Sequence, residues 1–294
     1  MQLLTTTEAA DYLRLKERKL YELVAEGAVP CTKVTGRWLF PKAELDQWLS
    51  SSLVRPDGVA AANPPPIVGG SHDPLLDWAL RESGCGLASL PEGSEAGLHR
   101  FAAGGLLAAA IHLHAMESDE PDANIDALRA RGDLRDAVLI AVGRREQGLL
   151  VAPGNPLQLR TVEDMVRTGA RTAVRPAGAG AQLLLLALLH RAAIAFEKLT
   201  VAGPPAPTGS DVGQAIRAGR ADCGIATRSV AEAFGLDFVP LLWERFDLAM
   251  RNRDYFRPPL QRLLGFLRTP EFAARGQELG GYDISGAGTV RYAP

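Results

Sequence analysis

The chain has 294 residues, 47% of them hydrophobic, and a formal net charge of −2 at pH 7, which is enough apolar material for more than one globular domain. This balance excludes a protein that coats nucleic acid over its whole surface, and the richest apolar run, residues 183–196, is interrupted by His190 and Arg191 and cannot span a bilayer. The start of the chain lacks a secretory signal and its three cysteines form no C-x-x-C pair, so we expect a cytoplasmic protein without membrane association.

Residues 1–50 carry the pattern of a small DNA-binding module. The capping-box spacing of Thr5–Glu8 predicts a helix start, and a second apolar-periodic run ends at Gly27. Two β-favouring runs, 32–35 and 37–40, follow, and Pro41 opens a third helix. Helix, turn, helix, hairpin and helix is the order of a winged helix-turn-helix.

The stretches LTTTEAADYLRL, KLYELVAEGAVP and KVTGRWLFPKAELDQWL resemble the excisionase and MerR-type DNA-binding family. The resemblance implies that the second helix enters the major groove and that the hairpin touches the DNA backbone. The residues placed at double-stranded DNA are Lys16, Arg18, Lys19 and Glu22 on the helix and Lys33, Thr35 and Arg37 on the hairpin. The alternative is a protein-binding module with solvated lysines. Tyr21 and Trp38 are expected to pack in the core or against the wing.

Residues 51–66 are rich in serine, alanine and proline and are predicted to form a linker. In residues 67–294, short apolar runs alternate with helical ones, which predicts an α/β domain with a mainly parallel sheet. Several strand-to-helix loops carry glycine and a hydroxyl residue. Helix starts of this kind bind anions, because free amide protons and the helix dipole face the ligand.

The second region resembles the periplasmic-binding-protein-like sensor domains of bacterial regulators, in particular the molybdate- or tungstate-binding type. Matching stretches include GSHDPLL, GSEAGL, REQGLLVAPGNP, RPAGAGAQLLL and LDFVPLLWERFDL. The resemblance implies a type II fold of two lobes, residues 67–148 with 246–294 and residues 149–245. REQGLLVAPGNP and PLLWERFDLAM would be the strands that cross between them.

By the same resemblance, three loops would meet at a small oxyanion, with further hydroxyls from the second lobe. The candidate ligand-binding residues are Ser71, His72, Ser94, Gly178, Ala179, Gly180, Thr208 and Ser210. The third loop departs from the family pattern, since Ala179, Ala181 and Gln182 stand where hydroxyls and an arginine are usual. Either backbone amides suffice or the ligand is not molybdate. Thr208 and Ser210 could equally be helix caps.

Other patterns carry less weight. Ser71, His72 and Asp73 are adjacent in sequence and so cannot form a catalytic relay, and we predict no catalytic residue. His112 and His114 would share one face of a strand, but without a third ligand we expect structural histidines and no metal or cofactor. The charges at 144–145 and 244–245 are interpreted as solvated, with ion pairs across the crossing strands as the alternative.

Together these patterns predict a homodimeric transcriptional regulator that is not an enzyme. Its head binds promoter DNA, since half-site symmetry mirrors protein symmetry, and its sensor closes on a small anion, molybdate or tungstate first. The alternatives are a regulator of another small molecule, a degenerate sensor without a ligand and, less favoured, an enzyme that uses the cleft.

Overall fold

A computed structural model describes residues 2–34, 36–52, 63–116 and 122–294. The chain divides into two compact units, Met1–Asp57 and Gly58–Pro294. Each is described by itself.

The first unit is a winged helix-turn-helix. Its elements are β1 Leu3–Leu4, α1 Thr6–Tyr12, α2 Glu17–Ala25, β2 Thr32–Val34, β3 Arg37–Pro41 and α3 Lys42–Ser51. Thr5 and Glu8 form the predicted capping box at the start of α1, which satisfies backbone amides that the first helical turn leaves free. The three strands form an antiparallel sheet in the order β1-β3-β2.

A small core holds this unit together. Seven residues are buried in it: Leu4, Ala9, Ala10, Leu20, Val29, Phe40 and Leu45. Trp38 packs against this core, as predicted. Tyr21 does not, since 49% of it is exposed on α2, and that prediction was wrong. Leu20 is the buried residue of α2, so the helix turns Tyr21 away from the core.

The second unit is an α/β domain. Its strands are β4 Ile67–Gly70, β5 Ala88–Pro91, β6 Ala108–Ile111, β7 Ala137–Val151, β8 Arg171–Ala173, β9 Thr200–Val201, β10 Cys223–Thr227, β11 Asp237–Arg251, β12 Tyr282–Asp283 and β13 Val290–Tyr292. Its α-helices are α4 Pro74–Glu82, α5 Ser94–Ala102, α6 Ala123–Arg129, α7 Val162–Thr168, α8 Gly180–Arg191, α9 Gly209–Arg217, α10 Arg228–Phe234, α11 Asn252–Tyr255, α12 Pro258–Phe266 and α13 Pro270–Leu279.

Ten strands in the described part of this unit form one sheet with the path β5-β4-β6-β11-β7-β10-β8-β9, and β12 and β13 pair with β7. The strands β4, β5 and β6 at one end, and β8, β9 and β10 at the other, are parallel. The centre is antiparallel, because β7 and β11 pair along their 15 residues. The mainly parallel sheet predicted from the sequence is therefore found only at the two ends.

Separate hydrophobic clusters lie at the two ends of this sheet. At the end with β4–β6, which we call lobe one, two clusters contain residues from 67–142 and 246–292. At the end with β8–β10, which we call lobe two, two clusters contain residues from 149–242. Each lobe therefore buries its own apolar surface, and β7 and β11 run through both.

This architecture confirms the predicted fold class, an N-terminal winged helix-turn-helix followed by a two-lobed α/β domain of the periplasmic-binding-protein type. In the part of the chain that the structure describes, no helix is both long and apolar enough to cross a bilayer.

Candidate functional site

The face of the first unit that carries α2 is basic and exposed. Lys16 is the N-cap residue of this helix, and the side chains of Arg18 and Lys19 are 92% and 51% exposed. Glu22 pairs with both of them, at 3.4 Å from Arg18 and 3.1 Å from Lys19. Exposed ion pairs of this kind are weak, so phosphates can compete for the two cations.

The hairpin adds a second exposed basic group. Lys33 and Arg37 are exposed, and the Lys33 ammonium lies 5.2 Å from the centre of the Trp38 ring. Thr35 lies outside the described residues, so its predicted DNA contact has no structural account. Tyr21 is a further exposed side chain on α2 that the sequence interpretation had placed inside.

The predicted ligand loops of the second unit come together. The hydroxyls of Ser71 and Ser94 are 2.6 Å apart, and the amide of Glu95 donates to the carbonyl of Gly178 at 3.2 Å. Loops from both lobes therefore meet, as predicted for a shared anion site at the starts of several helices. The residue-level assignments remain predictions.

Their polar groups are, however, largely engaged within the protein. The hydroxyl of Ser94 donates to the carbonyl of His112 at 3.0 Å and accepts from its amide at 3.2 Å. A Cβ added to Gly180 would lie 2.0 Å from Nε2 of His112, so the imidazole fills the space beside the first turn of α8.

The remaining predicted ligand residues have diverse surroundings. The Nε2 atom of His72 lies 3.1 Å from a carboxylate oxygen of Asp77. Thr208 forms a capping box with Asp211 at the start of α9, the alternative role that its position allowed. Ala179 precedes α8 as its N-cap, and Ser210 lies half-buried in the first turn of α9.

A buried charge network joins the crossing strands to lobe one. Arg145 on β7 donates through Nε to Glu244 on β11 at 2.5 Å and through NH1 to Asp73 at 2.8 Å. The hydroxyl of Tyr282 donates to Asp73 at 3.0 Å. Burial works against the charge of Arg145, but the two carboxylates raise the pKa of its guanidinium. The interpretation of Arg145 and Glu244 as solvated was wrong, because β7 and β11 pair side by side and turn both residues inward.

This network also determines which nitrogen of His112 is protonated. The NH2 group of Arg145 lies 2.6 Å from Nδ1 of His112, and a guanidinium can only donate. Burial, together with the neighbouring Arg145, lowers the pKa of His112 well below its usual value, although Glu244 opposes the shift. His112 is therefore neutral, accepts at Nδ1 and carries its proton on Nε2.

The same argument bears on a possible metal site. Ligand atoms of His112, His114 and Glu244 lie within 4.8 Å of one another, so the structure supplies the third ligand that the sequence did not reveal. A neutral imidazole whose Nδ1 accepts a hydrogen bond has no lone pair left on Nε2 for a metal ion. In the arrangement observed, His114 instead contacts Glu244 at 2.9 Å, while His112 hydrogen bonds to Arg145.

A small cavity of about 20 Å³ lies between the lobes beside this network, with room for little more than one water-sized group. Its polar lining comes from both lobes and from β7: His72, His112, Arg145, Gln147, Arg175 and Thr227. Gly209 and Ala181, in the first turns of α9 and α8, complete one wall. Of the predicted ligand residues, His72 lines this cavity, whereas Ser71 and Ser94 are not part of its lining.

Two cations line this cavity, Arg145 and Arg175; Arg175 has no carboxylate partner among the described residues, and sequence reasoning missed it. Its NH2 group donates to the carbonyl of Pro207 at 2.7 Å, while its Nε has no hydrogen-bond partner within the described ranges. Burial and the nearby Arg145 lower the pKa of Arg175 to about 10. The sequence feature that could have identified Arg175 is its position at the carboxyl end of β8, directly before the glycine loop. Ligands of α/β sheets bind at such positions.

Comparison with known families agrees with this architecture. Residues 78–268, more than half of the chain, match the model of the PBP superfamily domain, and residues 3–52 match a helix-turn-helix domain. The chain therefore belongs to the PBP superfamily domain family, with a DNA-binding helix-turn-helix at its N-terminus. The YvgK protein of Bacillus subtilis (strain 168) is 23% identical over 97% of this chain and 96% of its own length.

Solved structures show the same fold. A cysteine-to-serine mutant of Corynebacterium glutamicum OxyR, with bound H2O2, aligns with 94% of this chain and 89% of its own at 14% identity and a TM-score of 0.51. A putative phosphate ABC transporter substrate-binding protein from Clostridium perfringens, with bound phosphate, aligns with 75% of this chain and 99% of its own at 9% identity and a TM-score of 0.53. At these identities the likeness concerns the fold alone.

Proposed function

We propose that this protein is a ligand-responsive transcriptional regulator whose sensor binds a small oxyanion in the cavity between the two lobes. The observation that carries the proposal is Arg175, a half-buried cation that forms no ion pair among the described residues and lines a cavity together with the first turns of α8 and α9. Burying an unpaired charge is costly. An anion in this cavity would pair with Arg175 and would also meet the Nε2 proton of His112 and the positive ends of two helix dipoles.

The cavity is proposed as a binding site and not as a catalytic one. The hydroxyls of Ser71 and Ser94 hydrogen bond to each other, and the second also bonds the backbone of His112. His112 is held as a donor by Arg145, so it is not available as a general base. The resemblance of the sequence makes molybdate and tungstate the first oxyanions to test, and phosphate, arsenate and sulfate share their tetrahedral shape.

Regulation would follow from a change in the arrangement of the lobes. An oxyanion is larger than the cavity observed, so its binding requires the lobes to move apart around it, and DNA affinity changes if that arrangement presents the helix-turn-helix units differently. We propose a cytoplasmic homodimer that binds promoter DNA, because one small unit buries little DNA surface. The exposed cations on α2 and the hairpin support DNA as the partner.

Thermal unfolding of the full chain with each oxyanion tests the sensor. A ligand that binds only the folded state raises the Tm in proportion to the logarithm of its concentration. We expect at least one oxyanion to do so, and Arg175→Gln to abolish the rise. Arg160→Gln, an exposed arginine of the same lobe, is the matched control and should retain it. If no oxyanion raises the Tm, or Arg175→Gln responds like the native protein, the oxyanion proposal is wrong.

A further inference from the structure

One side chain that lines the cavity offers a hydrogen-bond acceptor. An oxyanion without a proton has no donor for it. The Nε2 amide of Gln147 on β7 donates to Oε1 of Glu244 at 3.0 Å. Burial works against the charge of Glu244, but the paired Arg145 and the hydrogen bond with His114 lower the pKa of this carboxyl far below its usual range, so the carboxylate is ionised and can only accept. This contact fixes the orientation of the Gln147 amide, because the reverse orientation would oppose two acceptors.

The other end of that amide is left without a partner. Oε1 of Gln147 is buried and has no hydrogen-bond partner in the described part of the chain, and Gln147 is only 2% exposed. The residue lines the cavity between the lobes. A buried carbonyl oxygen that receives no hydrogen bond costs free energy, so the cavity is incomplete without a donor at this position.

The other polar groups around the cavity are mostly donors. Nε2 of His112 carries a proton without a hydrogen-bond partner among the described residues, and so does Nε of Arg175. The hydroxyl of Thr227 lies 2.9 Å from that of Ser229 and can turn toward either side. The cavity thus presents two donors without partners and a positive charge, and the carbonyl oxygen of Gln147 is a buried acceptor without a partner among the described residues.

We propose that the ligand of this cavity is an oxyanion that carries its own O–H, such as hydrogen phosphate or hydrogen arsenate. The anionic oxygens face His112 and Arg175, and the O–H donates to Oε1 of Gln147. Sulfate, molybdate and tungstate carry no proton at neutral pH, and each would place an oxygen lone pair against the Gln147 carbonyl. This inference rests on the oxyanion function proposed above and narrows its ligand class.

The expected selectivity follows from the unmatched acceptor. A site built to hydrogen bond a ligand hydroxyl rejects an analogue without it, since the buried group then remains unpaired. We expect the native protein to bind phosphate and arsenate at least about tenfold more tightly than sulfate, molybdate or tungstate, the effect of one unpaired buried acceptor. Charge and approximate size do not explain such a preference, because divalent tetrahedral anions are present in both groups.

Calorimetric titration of the full chain with each of the five anions tests the inference. Gln147→Met removes the acceptor at similar volume and should lower phosphate affinity about tenfold or more, so that the ratio of phosphate to sulfate affinity falls toward one. Gln214→Met, an exposed glutamine on α9, is the control and should leave the ratio unchanged.

The outcomes separate the two proposals. Sulfate or molybdate affinity equal to that of phosphate in the native protein would overturn the requirement for a ligand proton and leave the oxyanion sensor standing. A lower phosphate affinity in Gln147→Met without any change in the ratio would also overturn it. Absence of heat and of a Tm shift with all five anions would overturn the sensor proposal itself. The native selectivity decides the question even if Gln147→Met fails to fold.

Discussion

At the scale of single residues, His112 contributes to the stability of the second unit and also lines the proposed binding site. It is buried between Arg145, which occupies its Nδ1, and Gly180, which lies against its Nε2. Desolvation, with a contribution from Arg145, lowers its pKa in the folded protein. The unfolded chain instead binds a proton at this histidine near its ordinary value of about 6.5.

The pKa of His112 therefore predicts a pH dependence of stability. Below about pH 6.5 the unfolded state binds one more proton than the folded state, so the free energy of unfolding falls as the pH falls, by up to about 1.4 kcal/mol per pH unit. His112→Gln should flatten this slope by one proton, whereas His99→Gln, at an exposed position, should not. Urea unfolding of the sensor unit between pH 5 and pH 7 measures the slopes, and an unchanged slope in His112→Gln would contradict the assignment.

Glu244 acts in a lower pH range. Its pKa is depressed in the folded protein, so the stability that its ionised form contributes is complete above its unfolded value of about 4.3 and is lost as the pH falls further. Glu244 therefore adds little slope above about pH 5, and measurements above that pH separate the effect of His112 from that of Glu244.

At the scale of elements, the first turn of α8 must pack without a side chain. A Cβ at Gly180 would approach the carbonyl oxygen of His112 to 2.3 Å as well as its ring. We expect Gly180→Ala to lower the free energy of unfolding by about 1–3 kcal/mol through overpacking. Differential scanning calorimetry of the full chain would show the lower Tm.

Gly265 on α12 provides the matched control for this substitution. A Cβ there would meet nothing within 4 Å, and alanine is the better helix former by roughly 0.5–1 kcal/mol. Gly265→Ala should therefore leave the Tm unchanged or raise it. Equal effects of the two substitutions would show that the contact between α8 and His112 is not tight.

Elements set by local chemistry were predictable from the sequence. The capping box of Thr5 and Glu8, the stop at Gly27 and the hairpin at Gly36 depend on residues within a few positions of one another. The polar cavity, in contrast, depends on residues that are far apart in the sequence. Arg145 and Glu244 are 99 positions apart, and only the pairing of β7 with β11 reveals that both side chains point inward. The unpaired oxygen of Gln147 is likewise identified only when the position of Glu244 is known, because the hydrogen bond to Glu244 sets the orientation of the Gln147 amide.

At the scale of the whole molecule, the proposed DNA-binding and anion-binding sites lie in different units. Binding to a random-sequence duplex depends on the neutralisation of phosphates, and its logarithm falls linearly with the logarithm of salt concentration. Arg18→Ala with Lys19→Ala should weaken this binding and reduce the slope by about one for each phosphate that is no longer neutralised. Fluorescence anisotropy over a series of salt concentrations measures both quantities.

Arg160→Ala with Arg262→Ala removes the same charge from exposed positions of the sensor unit and should leave the slope unchanged. Oxyanion affinity should be the same in both double variants. A slope in Arg18→Ala with Lys19→Ala equal to that of the native chain would place the DNA-contacting face somewhere other than α2.

The two 15-residue strands that cross the sensor also shape its energetics. Their ladder is continuous apart from irregularities between Pro240 and Leu242 and between Phe246 and Asp247, and bulges are where a strand bends most easily. The two lobes share this pair of strands, so the proposed change in their arrangement on ligand binding would bend the pair. Apparent ligand affinity scales with the fraction of molecules already in the binding-competent arrangement, so we expect substitutions that make these strands stiffer or more flexible to change the ligand concentration at which the protein responds, although they contact no ligand atom.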